Sequence, residues 1–234
     1  MTEILKSSST RIKTGLVLLG VAAVIGYIDS YFVMWLLFGG LLVISIKEAM
    51  ILYKMKSNKV YTYSGLLWFA AYFYPNPEDL LFVVAVVYGS ILAYTKNLDK
   101  KLFIILLYPT ASFLFLLSLY NEFGIESLLW LLMVVAGADI GAYFVGRGMG
   151  KHQFCETSPN KTWEGVAGGM VVAAAFGTYF ALDVLSIYGA LFVSVIVAFA
   201  SVFGDLFESY LKREADVKDS GDILPGHGGI LDRT

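Results

Sequence analysis

Cysteine is almost missing from this chain. Cys155 is the single copy, so no disulfide can form within the chain, and the redox compartment stays open. Charge is scarce too, at 15% of residues against 58% hydrophobic, with a positive mean hydropathy. Soluble domains run nearer about 45–50% apolar, so the excess calls for a solvent other than water. Neither sign of charge dominates, with 17 Lys and Arg against 19 Asp and Glu, and the balance argues against a nucleic-acid partner. The sequence has no internal repeat, no low-complexity tract and no stretch that reads as a soluble domain. Lys6, Arg11 and Lys13 precede an apolar run from Thr14, as in a signal peptide, but no small-x-small cleavage site follows. A retained first span is the expectation.

Apolar runs fall at about 14–28, 31–46, 62–74, 79–95, 102–119, 126–146, 165–183 and 189–207. Inside lipid the backbone must satisfy its own hydrogen bonds, so each run is most simply a helix. The expected fold class is an all-α, polytopic transmembrane helix bundle of about eight spans, with both termini cytoplasmic. Its domains are expected as N-terminal transmembrane helices over 1–125 and catalytic helices with cytoplasmic loops over 126–234, together one integral membrane domain. Threading the chain through eight spans from a cytoplasmic N-terminus puts all 17 basic residues on one side. The opposite loops, near Asp29, Pro75 to Asp79, Asn121 to Glu126 and Ser186, carry none, which is the positive-inside pattern. The brief run 62–74 is retained by parity, because without it Lys96, Lys100 and Lys101 would face outward. Its brevity leaves room for a tilted or half-inserted helix.

The polar stretches 147–164 and 208–234 both fall on the cytoplasmic side, and both are dense in Gly, Pro and charge. Asp139 lies in the apolar run before them. A charge at the bilayer centre costs about 2.5–3.5 kcal/mol on insertion scales, which makes such a residue a functional candidate. It sits seven residues before Gly146, about 10 Å deep at 1.5 Å per residue. Tyr143 and Arg147 share its helical face, so snorkelling or plain pairing with Arg147 is the structural alternative. Asp205 is placed similarly, and Asp205, Glu208, Ser209, Lys212 and Arg213 fall on one helical stripe, which could also be an ordinary solvated face. The tail from Lys218 and Asp219 through Pro225, Gly226, His227, Gly228 and Gly229 to Asp232 and Arg233 mixes acidic and basic types. Carboxylates of this kind hold Mg²⁺, while Lys and Arg take phosphate oxygens. The glycines permit a backbone that approaches a ligand closely; a disordered polar tail is the alternative. Gly146, Arg147, Gly148, Gly150 and Lys151, then Ser158 and Lys161, match neither the dinucleotide fingerprint nor a Walker A loop. They fit a backbone anion nest or an ordinary flexible connector.

Taken together these stretches resemble the phosphatidate cytidylyltransferase (CDP-diacylglycerol synthase) family. Its C-terminal signature matches Ser209, Lys212-Arg213, Lys218-Asp219, Pro225-Gly226-His227-Gly228-Gly229 and Asp232-Arg233. Motif-level similarity covers about 137–234, and the first half matches only as a hydrophobic region. The resemblance implies condensation of CTP with phosphatidic acid to CDP-diacylglycerol and pyrophosphate, at a bacterial inner membrane with the site facing the cytoplasm. It implies Mg²⁺, with room for a second ion, bound by Asp205 and Asp232. Asp139 and Asp219 follow as second-rank metal ligands. Lys212, Arg213 and Lys218 complete the catalytic set, and Arg147, Lys151, Ser158, Lys161, Ser209, His227, Gly228 and Arg233 the substrate and phosphate set. A homodimer is suggested as well. In the family, Asp-Arg precedes a further Asp and a hydrophobic segment, whereas this chain stops at Thr234. A poorly anchored Asp232 loop is therefore expected. Two other functions compete: a membrane CTP-transferase acting on another lipid phosphate, and an ion-coupled transporter carrying its ions on Asp139 and Asp205.

Overall fold

The computed structural model describes the backbone of residues 2–97, 100–223 and 228–233, and side chains from Lys13 onward except 18, 19 and 233. Among them are eight α-helices, one for each apolar run. They are α1 (Thr2–Ile28), α2 (Tyr31–Leu52), α3 (Asn58–Phe73), α4 (Leu80–Thr95), α5 (Lys100–Phe123), α6 (Ile125–Met149), α7 (Trp163–Ala181) and α8 (Ile187–Glu214). Six of them are long and apolar enough to cross a membrane, if the 3₁₀ turn at Pro77–Asp79 is counted with α4. α1 is not among these six, nor is the 16-residue α3, which at 1.5 Å per residue is about 24 Å long, short of the roughly 30 Å hydrocarbon core. Large apolar side chains point outward along the helices, among them Phe82 at 73% exposure and Phe144 at 69%. In water such surfaces would demand cover; acyl chains are the cover a bilayer offers.

The chain divides into two compact units, residues 1–123 with 215–234 and residues 124–214. The C-terminal stretch thus groups with the N-terminal helices, not with α6, α7 and α8.

In the first unit, one stripe of α2 faces inward through Met34, Phe38, Leu42, Ser45, Glu48 and Leu52. The spacing is made up of threes and fours, as a buried helical face requires. It meets α5, whose Ile105, Phe113, Leu114 and Leu117 are completely buried, and Phe38 lies 6.2 Å from Phe113 ring to ring. α2 and α3 are joined by a reciprocal pair, in which Trp35 Nε1 donates to the Trp68 carbonyl at 2.9 Å and Trp68 Nε1 to the Trp35 carbonyl at 3.2 Å. Tyr120 on α5 donates its hydroxyl to Asp29 Oδ1 at 2.8 Å.

The second unit is built on small residues. Lipid tails are as apolar as leucine, so helices in a bilayer associate through close packing more than through hydrophobic burial. Gly137 and Gly141 on α6 lie against Ala173 and Gly169, part of an α7 stripe of Gly165, Gly169, Ala173 and Gly177 at four-residue intervals. A Cβ on Gly169 would stand 2.6 Å from the Ala138 carbonyl oxygen, and one on Gly141 2.6 Å from that of Gly168. Val134, Ala138, Ala173 and Ala198 form the core between α6, α7 and α8, and Trp130 Nε1 donates to the Gly177 carbonyl at 2.9 Å.

Gly169→Leu must therefore push α6 and α7 apart. The expected loss is about 1–3 kcal/mol, as for other overpacked sites, read as a lowered melting temperature in detergent. Gly204→Ala, where nothing lies within 4 Å of the added methyl, should melt at or slightly above the parent temperature.

Candidate active site

The loop between α6 and α7 has a defined shape. Gln153 and Thr162 form an antiparallel bridge, with Phe154 N–H donating to the Lys161 carbonyl at 2.8 Å and Trp163 N–H to the His152 carbonyl at 3.0 Å. The Phe154 and Trp163 rings close it edge to face at 4.6 Å. Thr162 caps α7, its hydroxyl accepting from Gly165 N–H at 3.1 Å, as N-cap threonines do. The flexible connector considered for this segment is thereby replaced by a closed turn. Its anion nest exists too, but the protein fills it. Glu164 Oε2 accepts from the N–H groups of Lys151 and His152 at 3.2 and 3.3 Å, and Glu164 Oε1 lies 2.6 Å from His152 Nδ1. Of these, Lys151 is a residue the sequence points to, whereas His152 and Glu164 are not among its site residues. They stand 12 residues apart, at the two ends of the loop that follows the glycine-rich stretch 146–150.

The turn delivers Lys161 to Asp205. The two side chains form an ion pair, with Asp205 about half exposed. One turn further along α8, Glu208 and Lys212 pair at 3.1 Å, and both are largely buried. Within the α8 stripe, Glu208 and Lys212 thus answer each other by the i,i+4 rule. Ser209 is half-buried between them, and Arg213 is exposed. On α6, Arg147 donates to the Tyr143 hydroxyl at 2.7 Å and lies over its ring. Asp139 is exposed on the same helix. Lys151 is exposed and Ser158 half-buried in the loop.

Within the first unit the terminal residues fold around two carboxylates. Asp232 accepts from Ser220 N–H at 3.0 Å and from Gly229 N–H at 2.8 Å, both on Oδ2. Glu48, only 2% exposed, accepts from Ile230 N–H at 3.1 Å, Leu231 N–H at 2.7 Å and the Ser220 hydroxyl at 3.3 Å. The amides of 229, 230 and 231 are therefore taken in succession by Asp232, Glu48 and Glu48. Two glycines make this possible. Gly228 has φ 85°, a left-handed conformation that glycine adopts without strain, and a Cβ there would come 2.6 Å from Asp232 Oδ2. A Cβ on Gly229 would come 2.6 Å from each Glu48 oxygen. The close approach expected of these glycines is real, and Asp232 and Glu48 are what they approach.

The poorly anchored Asp232 loop is thus corrected: α2 anchors it from the start of the chain. Lys218 and Asp219 are exposed beside it, and Lys54 pairs with Asp216 at 3.6 Å across two exposed side chains. His227 and the Arg233 side chain lie outside the described residues.

The available donors are carboxylate oxygens. Among the described residues no group of three or more His, Cys, Asp and Glu gathers as a metal cage. Hard cations of the Mg²⁺ type need no such cage, since they take one or two carboxylates and complete their shell with phosphates and water. Asp232 fits that demand, because backbone donors fix its orientation and each carboxylate oxygen has two acceptor sites. Asp205, about half exposed, offers oxygen donors of the same kind, with Lys161 holding one of them where a cation would compete. Two cavities of about 690 and 450 Å³ open along α2 and α3 and along α3, α4 and α5. Their linings are mainly apolar and include none of these carboxylates.

The sequence pattern of the Cytidylyltransferase family matches residues 9–234. A protein of Helicobacter pylori (strain ATCC 700392 / 26695) named phosphatidate cytidylyltransferase is 42% identical over 236 residues, covering 100% of this chain and 89% of that protein. One of the same name from Bacillus subtilis (strain 168) is 42% identical over 166 residues, 67% of this chain and 62% of its own length. A third, from Haemophilus influenzae, is 44% identical over 118 residues, 47% of this chain and 41% of its own. Matched along nearly its whole length, the chain belongs to the cytidylyltransferase family.

Proposed function

We propose that the chain condenses CTP with phosphatidic acid, forming CDP-diacylglycerol and releasing pyrophosphate. The observation that carries this is its 42% identity, along its full length, to a protein named phosphatidate cytidylyltransferase. An oxygen of the lipid phosphate attacks the α-phosphorus of CTP; a new P–O bond forms, and the bond to the β,γ-pyrophosphate breaks. A phosphate monoester has its second pKa near about 6, so it is largely dianionic at neutral pH and needs no protein base. The obstacle is repulsion between two polyanions.

The residues supply what that obstacle demands. A bound Mg²⁺ would neutralise phosphate charge and stabilise the departing pyrophosphate. Asp205 and Asp232 are the proposed metal ligands, with Asp139 and Asp219 in second rank. Lys161, beside Asp205, offers a point charge to a phosphate oxygen, as do Lys151, Lys212 and Lys218. Arg147, Arg213 and Arg233 offer the forked geometry that suits phosphate. Ser158, Ser209, His227 and Gly228 complete the proposed substrate contacts.

The proposal extends to topology. Eight spans with both termini in the cytoplasm bring every basic residue to one face, where CTP is dissolved and the lipid headgroup is presented. Helices of 1–125 and of 126–234 act as one integral membrane domain, at the inner membrane in a bacterium and as a homodimer.

Asp205→Asn and Asp232→Asn should each reduce CTP- and phosphatidate-dependent product by at least 100-fold, while the protein still inserts. Near-normal turnover in either variant removes that residue from the metal set. Topology is read separately, in a Cys155→Ser background. Ser186→Cys should react with a membrane-impermeant maleimide in intact cells, and Asp216→Cys only after lysis. The reverse pattern overturns the orientation.

A further inference from the structure

We infer that Glu48 is a positioning residue for the terminal loop, holding Asp232 in its working orientation from the far end of the sequence. The inference rests on the reading that Asp232 serves the reaction, and it concerns how that carboxylate is kept in place.

Three observations within the first unit carry it. First, Glu48 is buried at 2% exposure and its carboxylate accepts hydrogen bonds from Ile230 N–H, Leu231 N–H and the Ser220 hydroxyl. These donors lie 182, 183 and 172 residues away in sequence, so the contacts are tertiary and not a helix-end habit. Second, Glu48 and Asp232 hold the same residue. Ser220 gives its hydroxyl to Glu48 and its N–H to Asp232, so moving either carboxylate disturbs the other through Ser220. Third, the backbone is shaped for Glu48. Gly229 lies against both its oxygens, and no other residue type fits there without displacing the carboxylate.

A buried carboxylate is costly unless every acceptor finds a donor. Packing alone would be served by an apolar residue, as at Leu42, Ala49 and Leu52 on the same helix face. A carboxylate at Glu48 does what those cannot: it takes two consecutive amides and a hydroxyl, and so fixes the direction of the chain that carries Asp232. Glu48 touches neither proposed substrate. It acts through Ser220 and the 229–231 backbone.

The test uses the full chain in detergent micelles with phosphatidate and CTP, together with amide hydrogen exchange. Glu48→Gln keeps the shape but sets an amide donor against a backbone donor. Exchange at residues 229–231 is expected to rise at least tenfold, with amides of α5 unchanged, and kcat to fall at least tenfold. Glutamine also leaves the half-saturating Mg²⁺ concentration raised, whereas Glu48→Asp, which keeps the carboxylate, recovers part of kcat. A double-mutant cycle adds an independent arm. Gly229→Ala should cost at least tenfold in kcat in the parent and less than threefold in a Glu48→Ala background, because the carboxylate is then gone and the Ser220 hydroxyl, the other group the methyl would meet, can rotate away once it has no carboxylate to donate to. If Glu48→Gln fails to accumulate, Ser220→Ala replaces it, removing one bond to Glu48 and leaving the Asp232 amide bonds; a two- to fivefold rise in exchange at 229–231 is expected. Unchanged exchange at 229–231, or independent effects in the cycle, overturns the inference. Normal turnover in Asp232→Asn would sink the reading on which it rests, yet the exchange data would still report whether Glu48 holds the loop.

Discussion

A carboxylate removed from water must be given donors by the protein, and in this chain that demand ties the second helix to the last residues. Glu48 occupies a position on the inner stripe of α2 where neighbouring positions hold Leu42, Ala49 and Leu52. Its oxygens are satisfied by amides and a hydroxyl drawn from 220–231. The same short stretch feeds Asp232 through Ser220 and Gly229. Five donor groups, the N–H and hydroxyl of Ser220 and the N–H groups of Gly229, Ile230 and Leu231, are thus spent on two acids.

The second unit rests on a different economy, that of size. α6 and α7 approach until backbone meets backbone, because glycine and alanine occupy the facing positions. Rigid, close-packed helices give the intervening turn a fixed base at each end. From that base the Gln153–Thr162 bridge and the Glu164 carboxylate shape residues 150–164, and Lys161 reaches Asp205. Charge inside apolar surroundings is thereby met locally, pair by pair, as at Glu208 and Lys212.

The eight helices were legible because lipid allows little else: an apolar run without its own hydrogen bonds has no place there. The reaction was legible because the residues from Ser209 to Arg233 carry a dense set of fixed types. Composition and an intramembrane Asp139 alone would have left an ion-coupled carrier standing. Glu48 escaped notice for a simple reason. It follows Lys47 in a stretch read as the cytoplasmic end of a span, where a charge looks solvated. The clue was its register, since 34, 38, 42, 45, 48 and 52 form one buried line. Glu164 escaped because a glycine-rich loop suggests a foreign anion, and the protein had one of its own. Partners of this kind are set by tertiary geometry, which one-dimensional spacing records only faintly.

The distance in sequence between Glu48 and its donors bears on how the molecule is made. A ribosome synthesising this chain inserts α2 early, when the amides of 230 and 231 do not yet exist. The nascent protein therefore carries Glu48 without these donors until residues 220–231 have been synthesised. Ser220, Ile230 and Leu231 relieve it, and Asp232 follows them directly in the chain. Burial of that acid and placement of Asp232 then coincide in one event, so a product interrupted before residue 220 leaves its second helix with a carboxylate it cannot answer.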